Sequence, residues 1–164
     1  MALIRNGALV DDAYQWVGED GALPASGAVL VPLGRWQSER EALLGRGDPV
    51  GVRLGSDESP ELVADDLVHL SLVALEFPKF RDGRAYSYAR MLRERFEFDG
   101  EVRAVGDVLM EQLHFMLRTG FDAFEIESED PLGQYETAKA EFSVWYQPTG
   151  DGRPTATRLR HQGR

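Results

Sequence analysis

The chain has 164 residues, of which 43% are hydrophobic and 28% are charged, and it contains no cysteine. This composition is typical of one soluble globular domain with an ordinary core. The absence of cysteine excludes disulfides, thiolate nucleophiles and cysteine-ligated metal centres. The formal net charge of −10 argues against nonspecific binding to nucleic acid. We expect a cytoplasmic protein without a signal peptide or a membrane-spanning segment.

The N-terminal part, residues 1–27, is predicted to form a hairpin and a loop. Asn6 and Gly7 form a dipeptide that favours a tight turn between two short strands. We assign residues 1–148 to a single α/β domain and predict a flexible basic tail at residues 149–164. The last thirteen residues of this tail contain four arginines and no acid, so a docking arm is the alternative.

From residue 28 onward, apolar runs of strand length alternate with segments of helical periodicity. The predicted strands are 28–33, 49–54, 70–77, 102–105 and 122–126, and the predicted helices are 35–44, 60–66, 84–96, 108–119 and 132–140. Apolar strands separated by helices are typical of βαβ units in a parallel sheet. We therefore predict an α/β three-layer sandwich with about five mostly parallel strands. The alternative is a half-barrel that dimerises, because a complete eight-fold barrel needs about 250 residues.

The turn before the predicted helix 84–96 is a candidate anion site. In open parallel sheets, ligands bind at the carboxyl ends of strands. Lys79, Arg81 and Arg84 stand at such an end, beside a helix N-terminus. We predict that these residues bind a sulfate-, sulfite- or phosphate-like oxyanion. In the alternative interpretation, Asp82 caps the helix and the arginines pair with carboxylates across the sheet edge: Glu76, Asp107 or Glu125.

The outer face of the same helix is a candidate partner-binding surface. Tyr86, Arg90 and Arg93 share one face when the apolar residues of the helix point to the core. This face could bind an acidic partner, with Tyr86 as an aromatic anchor. It could equally be a solvated flank of the helix.

Two carboxylates near strand ends are candidate catalytic acids or bases. Asp107 follows the fourth predicted strand, and Glu125 lies in the fifth. Asp107 could instead be a helix N-cap, and Glu125 could form a carboxylate pair with Glu76. We predict no metal site, because the acids and the histidine of helix 108–119 have the spacing of surface charges. Nucleotide-binding and nucleophile-elbow motifs are absent from the sequence, so the cofactor is unknown.

Several short segments of the sequence resemble those of a bacterial family of proteins of unknown function. The most specific are FPKFRDGRAYS, RAVGDVL and GFDAFE, with further likeness in ALIRNGALVDDAY, LVPLGRWQSEREALL and EFSVWYQ. Members of that family are often labelled oxidoreductases, and their genes typically lie beside those for assimilatory sulfite or nitrite reductase. The resemblance implies a cytoplasmic role in sulfur assimilation. It brings no established reaction, cofactor or catalytic set.

Two functions follow from these observations. The first is an accessory protein of assimilatory sulfate/sulfite reduction, which binds a partner such as sulfite reductase, or a small oxyanion, through the basic turn and helix. The alternative is an enzyme, an oxidoreductase by resemblance alone, that acts on a small anionic sulfur compound. In that enzyme Arg81 and Arg84 would hold the anion, and Asp107 or Glu125 would transfer the proton. A homodimer contact, or equally packing against the sheet, would suit the apolar residues Phe142, Val144, Trp145 and Tyr146.

Overall fold

The five predicted strands form the parallel centre of an eight-stranded sheet in the computed structural model, which describes residues 1–149 and 151–162. The strands are β1 (Ala2–Arg5), β2 (Ala8–Val10), β3 (Gln15–Trp16), β4 (Val29–Pro32), β5 (Val50–Leu54), β6 (Leu72–Phe77), β7 (Glu101–Gly106) and β8 (Ala123–Ile126). The five strands predicted from residue 28 onward correspond to β4–β8, with bounds that agree within two residues. These strand predictions are confirmed.

Helices follow β4 to β8 in turn. They are α1 (Leu33–Gly45), a 3-10 helix (Pro60–His69), α2 (Arg84–Arg90) with a π-helical turn (Met91–Arg95), α3 (Met110–Thr119), α4 (Pro131–Ala140) and α5 (Ala156–Gln162). Ser59 caps the 3-10 helix by accepting a hydrogen bond from the backbone N–H of Glu61. Among the helices of the described residues, none combines the length and the apolar character needed to cross a membrane.

The N-terminal hairpin follows from its turn residues. Asn6 and Gly7 adopt positive φ angles of 52° and 82°, as in the two-residue turns that match the twist of the flanking strands. β1 and β2 pair antiparallel on either side of this turn. β1 also pairs antiparallel with β8, so the hairpin adds two strands to that edge of the parallel sheet.

The strand order is β2-β1-β8-β7-β6-β5-β4-β3. From β4 to β8, each strand lies beside the next one in sequence and runs parallel to it. Because βαβ crossovers are right-handed, this one-directional order places the connecting helices on one face of the sheet. The α/β class is confirmed, and the sheet is the curled half-barrel of the alternative prediction rather than one with helices on both faces. Dimerisation of the half-barrel stays a prediction.

One large core lies between the sheet and the helices. It takes buried side chains from one face of the strands and from α1, the 3-10 helix, α2, α3 and α4. Trp36 of α1 and Met116 of α3 are fully buried in it. The opposite face of the sheet carries a smaller apolar cluster, against which Tyr14 packs: Leu30, Leu72, Ala74 and Val105.

A four-residue connection requires the sheet to curl. β2 and β3 lie at opposite edges of the sheet, yet residues 11–14 alone join them. A flat sheet of eight strands would be about 34 Å wide, whereas this length of chain spans at most about 18 Å. The two edges therefore approach each other on the face without helices, which becomes concave. We call residues 11–14 the strap, because they cross this concave face.

The chain after α4 packs against α3 rather than against the sheet. The guanidinium of Arg118 lies 4.1 Å from the ring centroid of Trp145, and its Nε is 3.0 Å from Oδ2 of Asp151. Three other apolar residues of this segment are exposed: Phe142, Val144 and Tyr146. Packing against the sheet is therefore wrong for this segment, and its use as a homodimer contact stays a prediction.

The segment predicted as a flexible basic tail contains α5. It is also tied to the domain through Asp151, which pairs with Arg118. Residues 150, 163 and 164 of the predicted tail lie outside the described residues. The ordered part of this segment is thus larger than its composition indicates, while its flexibility and its use as a docking arm stay predictions.

Asp66 of the 3-10 helix anchors α1. Its carboxylate accepts a hydrogen bond from Nε1 of the buried Trp36 at 2.9 Å and lies 2.6 Å from a guanidinium nitrogen of Arg40. The hydrogen bond from Arg40 is the main reason why the pKa of Asp66 is lower than its ordinary value. Such a carboxylate stabilises the fold above its unfolded pKa, and this contribution is lost as the pH falls through the folded pKa.

We predict that Asp66→Asn lowers the free energy of unfolding by about 1–3 kcal/mol near neutral pH, the range for hydrogen bonds to a charged group. The difference between the two proteins should narrow as the pH falls below the unfolded-state pKa of about 4, and it should close as the pH falls through the lower folded-state pKa of Asp66, where the wild-type carboxylate also becomes protonated. Urea unfolding followed by tryptophan fluorescence at several pH values measures this difference.

Asp65→Asn is the matched control, because Asp65 is the exposed neighbour on the same helix. It should change the free energy of unfolding by less than about 0.5 kcal/mol. A difference between wild type and Asp66→Asn that stays constant into the acid range would contradict the role of the Asp66 charge.

Candidate functional site

The turn between β6 and α2 is exposed, and one of its three candidate anion-binding residues is already paired. Arg84 binds both oxygens of Asp82, at 3.0 Å from Nε and 2.6 Å from Nη2, and donates to Oγ of Ser56 at 2.9 Å. The hydrogen bonds from Arg84 hold the pKa of Asp82 well below its usual range. Asp82 also accepts from the backbone N–H of Arg84 at 3.3 Å, although the N-cap position of α2 is Gly83. Arg84 is thus paired with a carboxylate, as the alternative interpretation expects, but its partner is Asp82 of the same turn and not Glu76, Asp107 or Glu125.

Lys79 and Arg81 lie at the tip of the same turn, and both side chains are exposed. The ion pairs of this region join Arg84 to Asp82 and Arg90 to another acid. They leave Lys79 and Arg81 without a carboxylate partner among the described residues. The aromatic residue between the two cations is 53% exposed. We call Lys79, Phe80 and Arg81 the basic tip, because all three side chains are exposed.

The candidate partner-binding face is divided. Tyr86 is half-buried between Phe77 and Phe115, with ring centroids at 5.1 Å and 5.0 Å, and burial raises its pKa. Arg90 is exposed and pairs with Glu94 one turn later at 2.8 Å. Tyr86 therefore belongs to the aromatic packing between α2 and α3 and is not an exposed anchor.

Arg93 has a structural role. It donates to the backbone carbonyls of Gly120 at 3.0 Å and Gly100 at 2.7 Å, and its Nη2 is 2.7 Å from Oδ2 of Asp122. These bonds tie the π-helical turn to the segments that lead into β7 and β8. The structure thus does not place the three partner-binding candidates on one exposed face, and Arg90 alone among them is exposed.

The two candidate catalytic carboxylates lie in different surroundings. Asp107 is exposed in the turn after β7, where its backbone N–H donates to the carbonyl of Phe77 at 2.7 Å. It is not the N-cap of α3, because that position belongs to Leu109. Glu125 instead lies on the concave face, where one of its oxygens is 3.3 Å from Nη1 of Arg103. Of the two candidate catalytic carboxylates, only Glu125 belongs to the cluster of charged side chains around Arg103.

The concave face carries its charged side chains in layers. The strand register aligns one row across β1, β8, β7, β6 and β5 that reads Arg5, Ala123, Arg103, Ala74 and Arg53. Arginines alternate with alanines along this row, and the small alanines leave room for the long arginine side chains. Inside closed α/β barrels, each layer of side chains likewise comes from alternate strands. Three acids lie on the same face in the neighbouring rows. Glu101 precedes the arginine row along its strand, whereas Glu76 and Glu125 follow it along theirs.

Arg103 is the centre of this cluster and is 1% exposed. Its Nε is 2.7 Å from Glu101, and Asp12 of the strap adds a two-pronged contact at 2.8 Å and 3.2 Å. Burial by itself lowers the pKa of Arg103, but the hydrogen bond to Asp12 and the charge of Glu101 outweigh burial and raise it. The concave cluster, which we define as Asp12, Arg53, Glu76, Glu101, Arg103 and Glu125, therefore has a buried positive charge at its centre.

Arg53 is the second cation of the concave cluster. It pairs with Glu76 at 3.0 Å, so Glu76 does not form a carboxylate pair with Glu125. Trp16 of β3 lies over Arg53, with 5.2 Å between the guanidinium carbon and the ring centroid. A cavity of about 480 Å³ opens beside this contact, and its lining includes Asp12, Trp16 and Glu125.

Sequence reasoning missed most of this cluster. Glu101 and Arg103 are two residues apart in EVRAVG, and Arg53 interrupts the apolar strand VGVRL. Charges at every second position are typical of a strand with one polar face, and reading these strands as apolar throughout overlooks that signal. Asp12 and Trp16 join the cluster only because the sheet curls, which no local pattern shows.

Acidic side chains of the concave cluster bind arginine rather than each other. Within residues 1–149 and 151–162, no group of three or more His, Asp or Glu side chains is placed to hold a metal ion. Asp12, Glu101 and Glu125 all contact Arg103. The chemistry that this arrangement offers is therefore recognition of an anion by a fixed guanidinium.

The fold and these surfaces define an α/β protein with a curled half-barrel sheet, a charged concave face and a basic tip at the strand ends. The chain belongs to the bacterial family of proteins of unknown function called DUF934, whose match covers residues 51–157, more than half of the chain. The matched part includes Arg103 and the basic tip, whereas the strap precedes it. No curated protein matches the chain significantly. Membership confirms the resemblance to a bacterial family of unknown function and assigns no activity.

We predict that Arg103→Met lowers the free energy of unfolding by about 3–5 kcal/mol at neutral pH, because it leaves three partly buried carboxylates without their shared counter-charge. Glu101, whose side chain is only 9% exposed, suffers most from this loss. Chemical denaturation monitored by circular dichroism measures the effect.

Arg5→Met is the matched control, since Arg5 lies in the same row but its side chain is 45% exposed and its nearest carboxylate is 3.5 Å away. We expect a loss below about 1 kcal/mol for this variant. Equal losses in the two variants would show that burial of Arg103 within its carboxylates has no special role in stability.

Proposed function

We propose that this protein is an accessory protein of assimilatory sulfate and sulfite reduction that binds an acidic partner, such as sulfite reductase, through the basic tip. The observation that carries the proposal is the exposure of Lys79 and Arg81 on either side of Phe80, without a carboxylate partner among the described residues. An aromatic ring between two cations has the composition of an interface anchor. In a protein of net charge −10, such a tip also orients an approaching acidic surface.

The pathway in this proposal rests on sequence likeness. The segment FPKFRDGRAYS contains the basic tip, and the segment RAVGDVL contains Arg103; both are among those that carry the resemblance from which a role in sulfur assimilation is inferred. Family membership by itself carries no pathway, because the family is described as one of unknown function. A genetic test of the pathway is therefore needed beside a binding test.

A protein partner suits the basic tip better than a free oxyanion does. Arg84 already binds Asp82 through two nitrogen atoms, so it is not available as the third cation of an anion clamp. Lys79 and Arg81 are exposed, and attraction between single charges in water is weak and screened by salt. A partner that covers Phe80 adds the burial of an aromatic ring, which a small anion cannot supply.

An enzyme that acts on a small anionic sulfur compound is the second candidate, and the position of Glu125 favours it. Glu125 lines the cavity of about 480 Å³, and the same carboxylate contacts the guanidinium of Arg103 behind it. Arg81, Arg84 and Asp107 are not among the residues that line this cavity. In this enzyme they would therefore not touch the substrate, and Glu125 would be the proton-transfer group.

We predict that Lys79→Glu combined with Arg81→Glu weakens binding to purified sulfite reductase by at least about tenfold, equivalent to about 1.4 kcal/mol. The change reverses two exposed charges that face the partner and should also reduce the salt dependence of binding. Co-purification gives the first measurement, and calorimetric titration at low and high salt gives the affinity.

Arg95→Glu combined with Lys139→Glu is the matched control, because it makes the same change of net charge on exposed residues outside the basic tip and outside the C-terminal tail. This variant should bind like the wild type. If reversal of charge at the basic tip leaves co-purification unchanged, or if both pairs of substitutions weaken it equally, the basic tip is not the docking surface.

Deletion of the gene tests the pathway. We predict a growth defect on sulfate as the sole sulfur source that cysteine relieves, because cysteine bypasses the assimilatory reductions. Growth on sulfite then locates the block: rescue by sulfite places it before sulfite reduction, and rescue by cysteine alone places it at or after that step. Normal growth of the deletion strain on sulfate would contradict the proposed role.

A further inference from the structure

Asp12 occupies the position that a ligand carboxylate would take on Arg103. Its oxygens lie 2.8 Å and 3.2 Å from the two terminal nitrogens, the fork geometry by which arginine recognises carboxylates and related oxyanions. Glu101 and Glu125 hold the same guanidinium from the sheet, whereas Asp12 comes from the strap, outside the strands. The guanidinium is therefore held by the sheet on two sides, and the strap supplies its third carboxylate.

Two side chains tie the strap to the sheet. Beside Asp12 there is Tyr14, whose ring packs against the apolar cluster of the concave face and whose hydroxyl donates to Oγ of Ser71 at 2.9 Å. The ring of Tyr14 lies 5.6 Å from the guanidinium carbon of Arg103. The side chain of Asp12 is itself 38% exposed. Water and small solutes thus reach the carboxylate that closes the site.

A cavity beside the strap offers room for the rest of a small molecule. It measures about 480 Å³ and is lined by Leu3, Val10 and Trp16 as well as by Asp12 and Glu125, a size and a mixture of apolar and polar groups that are usual for small-molecule sites. Trp16 is 47% exposed. Its indole ring is therefore available to contact a flat apolar group.

We propose that the concave face binds a small organic carboxylate. Its carboxylate replaces Asp12 on Arg103, and its apolar part lies against Trp16 and Leu3 in the cavity. With the strap in place, the three arginines of the concave row face four carboxylates: Asp12, Glu76, Glu101 and Glu125. Exchange preserves this balance, because the ligand brings the negative charge that Asp12 removes. This site lies apart from the basic tip and goes beyond the docking role.

Titration of the full chain with benzoate and with acetate tests the proposal, with the side-chain Nε–H signal of Arg103 in NMR spectra as the readout at the site. The tethered carboxylate of Asp12 competes at an effective concentration on the order of millimolar or more. Its removal in Asp12→Ala should therefore lower the Kd for benzoate by about tenfold or more. Asp11→Ala is the matched control, because Asp11 lines the same cavity and the change of charge is the same. It should alter the Kd by less than about twofold.

Two further variants separate the parts of the site. Trp16→Ala should weaken binding of benzoate and leave acetate unchanged. Tyr14→Phe removes only the hydroxyl that binds Ser71, so it should loosen the strap and lower the Kd for benzoate in the same direction as Asp12→Ala. If Asp12→Ala does not fold, Tyr14→Phe tests whether a ligand carboxylate replaces Asp12 on Arg103.

Two results would overturn the proposal. Unchanged Arg103 signals during titration of Asp12→Ala and Tyr14→Phe would show that Arg103 only holds the strap. An equal gain in affinity in Asp11→Ala would show a general effect of charge instead of exchange at Arg103. Because these titrations use the isolated chain, neither result bears on docking through the basic tip.

Discussion

The four-residue connection between opposite edges of the sheet is the constraint on which the rest of the structure depends. A sheet whose edges are held within about 18 Å must bend until its helix-free face encloses a small volume. Side chains on that face lose contact with water, so the charged ones among them need partners. Arg103 meets three carboxylates and Arg53 meets one. The concave cluster is thus the electrostatic consequence of a short stretch of backbone.

The cations between positions 79 and 95 fall into two physical classes. Four arginines of this segment each meet a carboxylate, two of them within the segment and two on other elements: Arg84, Arg90, Arg93 and Arg95. Their charge serves packing and local pairing. Lys79 and Arg81 remain exposed, so the positive excess that distinguishes this segment in the sequence reduces to the basic tip. The basic tip, which is open to a partner, and the concave cluster are separate features of the same fold.

Local patterns are enough to predict the five parallel strands and the hairpin, because each depends on residues a few positions apart. Tyr86 and Arg93 are placed on the wrong surface by such patterns, since the partners of Arg93 lie 27 and 29 residues later in the chain. Glu125 is found as a strand-end carboxylate, but its contact with Arg103 needs the register of β7 and β8. The concave row needs the register of five strands together with the curl, and neither is contained in any short segment.

The edges of this sheet are short, which bears on pairing with a second chain. Its edge strands, β2 and β3, are three and two residues long, and long unpaired edges are the usual templates for strand addition and aggregation. The strap joins these two edges on the concave side, so a second chain could extend the sheet there only by displacing it. Displacement would separate Asp12 from Arg103 and uncover a buried charge. Resistance to fibril-like growth is therefore coupled to the same ion pair that closes the concave face.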